Sequence, residues 1–196
     1  MKRLSILAAA VFLFMSCKKD KTPLAAVASQ IDFLVNGNPT GGSYNFFSFS
    51  EGKQISVSDS ATNKWDFAMR FETMIVNSGV SGPGEAGVQV ISTPFDQILE
   101  APESGYKFDT TASKKAVKGT DWYSYNPQTR VFSPIAGRTF VFRTAHGKYA
   151  KMEILSALPA DDNGNLVVPP TRPTKIKYKI RIAYQWDGSR SLKPLQ

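Results

Sequence analysis

The sequence predicts a nearly all-β protein, a single antiparallel sheet or sandwich-like domain. Three observations predict it. Several segments alternate apolar and polar residues with period two, short glycine-containing turns join them, and helix signals are sparse. In chain order, "SYNFFSFS" (43–50), "KQISVS" (53–58), "KWDFAMRFE" (64–72) and "GVQVIS" (87–92) are rich in the aromatic and β-branched residues that suit strands. "PFDQILEAP", bounded by Pro94 and Pro102, has room for a helical turn or two. "RTFVFRTA" and "KYAKMEIL" flank His146-Gly147 and read as a hairpin. In the second of these, Ala150, Met152 and Ile154 are expected to face the core, with Tyr149, Lys151 and Glu153 on the wet side. "IKYKIRIAY" is the clearest strand: Ile176, Tyr178, Ile180, Ile182 and Tyr184 point one way, and Lys175, Lys177, Lys179 and Arg181 the other. "NPTGG", "NPQ", "DDNGN" and "VVPPTRP" read as loops.

The N-terminus sets the expected compartment. Lys2 and Arg3 precede the apolar run "LSILAAAVFLFM", which is shorter than the ~20 apolar residues of a membrane-crossing helix. Ser16 and the chain's one cysteine, Cys17, follow. "FMSCKKDK" resembles a bacterial lipoprotein signal, with cleavage before Cys17 and acylation of that residue; Phe14 stands where the pattern prefers leucine. An ordinary signal peptide with an incidental cysteine is the plainer alternative. The expected organisation is a signal at 1–16, a lipidated tether at 17–28 and one β domain at 29–196. "CKKD" also resembles the charged export signals of surface lipoproteins, so outer-membrane, cell-surface display is expected. With Cys17 lipidated, no disulfide, zinc–thiolate site or cysteine nucleophile can form within the chain.

The formal charge is +8, with lysines spread along the chain and no arginine–aromatic motif. Nucleic acid is therefore not an expected partner. Gly82, Gly84 and Gly87 spell G-x-G-x-x-G, but a dinucleotide loop needs a helix opening at the last glycine, and here "VQVIS" follows. Pro83 also removes an amide donor. The glycines read as a bend between strands. "DDNGN" fails as a calcium loop because Leu166 and Arg172 stand where glycine and glutamate are required. There is no G-x-S-x-G elbow, and nothing places carboxylates such as Asp66 and Glu72 together. The expectation is a protein that is not an enzyme. His146, the sole histidine, reads first as a solvent-exposed turn residue and second as an iron ligand. Met152 reads as core filler; Met74 leads out of a strand towards the glycine-rich loop, where a thioether can ligate haem iron.

Taken together, "SYNFFSFSEGKQISVSDS", "KWDFAMRF", "VNSGVSGPGEAGV", "GRTFVFRTAHGKYAKMEIL" and "KYKIRIAYQWDG" resemble the HmuY-type haem-binding lipoproteins of Bacteroidetes. The resemblance runs from about Tyr44 to Gly188. It implies a β-rich surface protein that binds haem and delivers it to an outer-membrane haem transporter. The family's founding site uses two histidines, which this chain cannot supply. The resemblance therefore casts Met74 or Met69 as iron ligand, with His146 behind them; Tyr106 is a further oxygen-ligand possibility from its place after "APESG" alone. It makes Asn77, Gly79, Gly82 and Gly84 the loop beside the ligand. The alternative is a surface interaction module of the same fold that binds a protein or glycan without haem.

Overall fold

The computed structural model describes residues 25–129, 131–168 and 173–194. The expected signal at 1–16, Cys17 and most of the expected tether lie outside the described residues. Among the described residues there are eleven strands: β1 (Val27–Asn36), β2 (Asn45–Ser48), β3 (Lys53–Ile55), β4 (Phe67–Arg70), β5 (Thr73–Val76), β6 (Gly87–Ile91), β7 (Tyr123–Asn126), β8 (Val131–Pro134), β9 (Thr139–Arg143), β10 (Tyr149–Ala160) and β11 (Lys175–Gln185). Among the described residues, helical structure is confined to single 3-10 turns, one of them at Phe95–Gln97 within the "PFDQILEAP" segment.

The nearly all-β expectation holds, but the strands form three sheets and not one. A five-stranded sheet has the order β1-β11-β10-β9-β6, a four-stranded sheet β3-β2-β4-β5, and β7 pairs only with β8. All the ladders are antiparallel. The split follows from side-chain volume. The inner faces of the two large sheets carry Phe33, Phe47, Phe67, Phe140 and Phe142, all essentially buried. Rings this large fill the space between two facing layers, and across it Phe49 and Phe67 meet Phe142 with centroids 4.9 and 5.5 Å apart. The four-stranded sheet is apolar on its other face too, where Phe46, Ile55, Trp65, Ala68 and Ile75 make a second cluster.

The expected hairpin is β9–β10, closed by Thr144 and Lys148, whose N–H and C=O bond at 2.8 Å. β11 follows its predicted faces: Ile176, Tyr178, Ile180, Ile182 and Tyr184 are all buried. One assignment on β10 is overturned. Lys151, expected on the wet side, is buried. The outer face of the five-stranded sheet is not open at that point: the Phe95–Gln97 turn, Ile98, Ala101 and Leu192 cover it. The Lys151 ammonium donates to the carbonyls of Phe95 and Ile98 at 2.8 and 2.7 Å and lies 4.4 Å from the Phe95 ring centroid. Burial lowers its pKa to about 8. Lys151→Met keeps most of the stem but orphans the buried Ile98 carbonyl and leaves the Phe95 carbonyl only its 3.4 Å bond from the Ile98 N–H. Urea unfolding should report a loss of about 1–3 kcal/mol; an unchanged midpoint would show that the contact contributes nothing.

Candidate functional site

The structure separates the residues that the sequence grouped. Met69 and Met74 are cross-strand partners on the β4–β5 hairpin. Both side chains are packed into the main core, 0% and 1% exposed. Met74 thus lies inside a sheet and not at a loop mouth. His146 is exposed in the β9–β10 turn, at the opposite end of β4 from the Met69–Met74 pair. That end is fixed by Asp66, directly before β4, whose carboxylate accepts the N–H of Ala145 at 2.8 Å. At the same end of the sheet, Lys148 bonds the Trp186 carbonyl, Arg143 pairs with Glu85 at 3.3 Å, and Trp186, which follows β11, is 48% exposed. Tyr106 donates its O–H to the Pro102 carbonyl at 3.0 Å, and burial pushes its phenol well above the usual range, so it is held as a neutral donor.

The glycine-rich segment between β5 and β6 is organised by Asn77, which is fully buried. Its amide donates to the carbonyls of Thr62 and Trp65 at 2.9 and 2.7 Å, and its side-chain oxygen accepts the Gly84 N–H at 2.9 Å. Such a satisfied amide acts as a clamp on the loop. The glycines are where the chain approaches itself. A Cβ on Gly82 would lie 2.1 Å from Asn77 Oδ1 and 2.7 Å from the Trp65 ring; one on Gly84 would lie 2.8 Å from the Asn77 carbonyl oxygen. At Gly79 the nearest atom is the Asp109 carbonyl oxygen, 1.9 Å away. The missing side chains leave room for the protein's own atoms, not for a flat ligand.

Two buried carboxylates tie this region together, and the sequence signalled neither role. Asp66 spans the two large sheets: one oxygen accepts Phe49 N–H at 2.7 Å, the other Ala145 N–H. Desolvation raises its pKa to about 6, against the opposing pull of those two hydrogen bonds. Asp109 accepts the N–H groups of Ala116 and Val76 at 2.7 and 3.1 Å and anchors the 109–116 segment to β5. At the far end of the sandwich, Phe71 adopts φ 50° in the β4–β5 turn and packs on Phe132 with centroids 5.3 Å apart. Trp122, 1% exposed, contacts Tyr123, Phe132, Phe140 and Tyr178 there. This aromatic cluster seats the separate β7–β8 ribbon.

Comparison with known proteins then places the chain. Among solved structures, apo PinO from Porphyromonas gingivitis is 12% identical with a TM-score of 0.52, over 82% of this chain and 99% of that one. The apo HmuY analogue of Tannerella forsythia is 14% identical, TM-score 0.44, over 83% and 98%. A HmuY-like protein from Bacteroides vulgatus is 14% identical, TM-score 0.48, over 80% and 92%. At these identities the likeness concerns the fold alone. No curated protein matches the sequence. The model of the family described as "HmuY protein" matches residues 42–168, about two thirds of the 196 residues, a span running from just before β2 to beyond the end of β10, and the chain belongs to that family.

Proposed function

We propose that the protein is a lipid-anchored surface protein that binds haem and delivers it to an outer-membrane uptake system. Family membership is the observation that carries this reading. Lipid attachment at Cys17, the signal at 1–16 and display on the outer membrane belong to the same proposal and rest on the N-terminal sequence.

Of the candidate ligands, His146 fits this role in the described conformation. Its imidazole is open to solvent, Trp186 presents an exposed ring at the same end of the sheet, and Lys148 and Arg143 bring cations suited to propionates. Met69 and Met74 do not fit, because each thioether is enclosed by core side chains. Haem, when bound, supplies iron as the electron-pair acceptor; the chain supplies the donor, an apolar plate and positive charge.

Hemin titration followed at the Soret band tests this. The native protein should saturate at one equivalent, His146→Ala should weaken binding at least about tenfold, the scale of disrupting a metal-site contact, and Met74→Leu should titrate like the native protein. Identical titrations of His146→Ala and native protein would remove His146 from the site; a changed spectrum in Met74→Leu would return the methionines to it.

The burial of both methionines favours a second reading, a haem-free interaction module presenting Tyr125 and Trp186, which are 56% and 48% exposed. A partner retained by the protein from haem-depleted cells and lost in Trp186→Ala would support that reading over the first.

A further inference from the structure

A cleft of about 500 Å³ opens where the described chain begins, lined by Ala25, Leu99, Glu100, Ser189, Arg190, Ser191 and Lys193. Its walls are fixed by backbone. The 189–194 segment pairs with the chain at 99–101 through Ala101 N–H to Arg190 C=O at 2.7 Å and Leu192 N–H to Leu99 C=O at 2.9 Å. On its other side Ala26 N–H bonds Lys193 C=O at 2.8 Å. The lining is chemically mixed in a particular way. Two cations, Arg190 and Lys193, stand with one carboxylate, Glu100, which pairs with Arg190 at 2.7 Å. Ser189 Oγ is buried and lacks a hydrogen-bond partner among the described residues. Leu99, 45% exposed, gives the rim an apolar edge.

Place adds to chemistry. Cys17 precedes Ala25 by eight residues, a span of at most about 28 Å of extended chain. If Cys17 carries acyl chains, this cleft is held close to the membrane surface, and even a weak site there works at high effective concentration.

We propose that the cleft binds the phosphoethanolamine headgroup of a membrane lipid. The phosphate is received by Lys193 and Arg190, and the primary ammonium by Glu100. A headgroup of both signs matches a lining of both signs, and the apolar rim meets the glycerol end of the lipid. The occupant seats the domain on the leaflet and fixes its orientation; this rests on the lipoprotein reading of Cys17 but not on haem binding.

The test uses the mature chain, residues 17–196 with Cys17→Ser, and nanodiscs of phosphatidylcholine alone or mixed equally with phosphatidylethanolamine. Both surfaces are electrically neutral, so the protein's net positive charge does not decide the outcome. Amide NMR shifts at Leu99 and Ser189–Lys193 should move with the mixed discs and stay with phosphatidylcholine, whose quaternary ammonium has no N–H for Glu100. Lys193→Ser and Glu100→Gln should each reduce the response at least about threefold. Lys175→Ser with Lys177→Ser is the control: β1 pairs Val27 with Tyr184 and Asn36 with Lys175, so those lysines lie near the other end of the sheet, about 30 Å away. Equal shifts with both discs, or a response indifferent to Lys193 and Glu100, would overturn the proposal. Saturation by free phosphoethanolamine at micromolar concentration would overturn the lipid as occupant in favour of a soluble ligand. Palmitate labelling of the native chain reads the Cys17 assignment separately, so failure of one is distinguishable from failure of the other.

Discussion

Acidification from pH 7.5 to pH 4 should stabilise the native protein relative to its Asp66→Asn variant by about 2–3 kcal/mol. The cause is the buried Asp66 carboxyl, whose pKa rises from 3.8 to about 6 on folding, chiefly through desolvation. Between those two values the folded chain holds a proton that the unfolded chain has released. Stability from this group is therefore fully present below pH 3.8 and is lost as pH rises through 6. A tenfold difference in proton affinity between the folded and unfolded chain is worth about 1.4 kcal/mol, which sets the scale. Other carboxylates act in both proteins and cancel in the difference. The measurement is urea unfolding of both proteins at half-unit steps of pH. A flat difference across the window would mean that the Phe49 and Ala145 N–H groups hold the carboxylate charged despite its burial. Asp66→Ala is the companion: it orphans both N–H groups at once and cuts the tie between the large sheets, so at pH 5 it should lose more stability than Asp66→Asn.

The Trp-Asp pair illustrates what sequence could and could not carry. "KWDFAMRF" has the composition of a strand, and β4 forms within it. Its alternation is weak because both faces of the sheet are buried: Phe67 and Met69 enter one cluster, Trp65 and Ala68 the other. For the same reason Met69 and Met74 gave no sign of facing each other, since strand register is a property of pairing. β1 was missed although Ile31, Phe33 and Val35 alternate, because its first four residues are exposed and look like tether. It begins at Val27, inside the expected 17–28 segment. The β7–β8 ribbon was missed because its support comes from elsewhere in the chain, from Phe71, Phe140 and Tyr178. β11 was readable because one of its faces is covered at every alternate position. Lys151 was misread because the segment covering its face lies some 55 residues earlier in the chain.

Gly79→Ala should be strongly damaging, costing about 2–3 kcal/mol. Two terms combine. Gly79 adopts φ +56, where an L side chain costs roughly 1–2 kcal/mol, and its new Cβ would stand 1.9 Å from the Asp109 carbonyl oxygen. That oxygen accepts the Val80 N–H at 3.1 Å, so relieving the overlap breaks this hydrogen bond, at about 0.5–1.5 kcal/mol more. Gly52 separates the terms. It has φ +62 but nothing within 4 Å of its Cβ position, so Gly52→Ala should cost only the conformational part, about 1–2 kcal/mol. Equal melting temperatures for the two variants would mean that the Asp109 segment yields freely, and that the loop between β5 and β6 is not built around that contact. A large gap would show that the glycines of this loop are retained for close approach of backbone to backbone. In that case the G-x-G-x-x-G spacing follows from Asn77 and Trp65 crowding Gly82, the Asn77 carbonyl crowding Gly84, and Tyr106 and Phe108 crowding Gly87, the last at 2.9 Å each. That explanation needs no ligand, and it accounts for the motif where a phosphate cannot, because a strand begins at its final glycine.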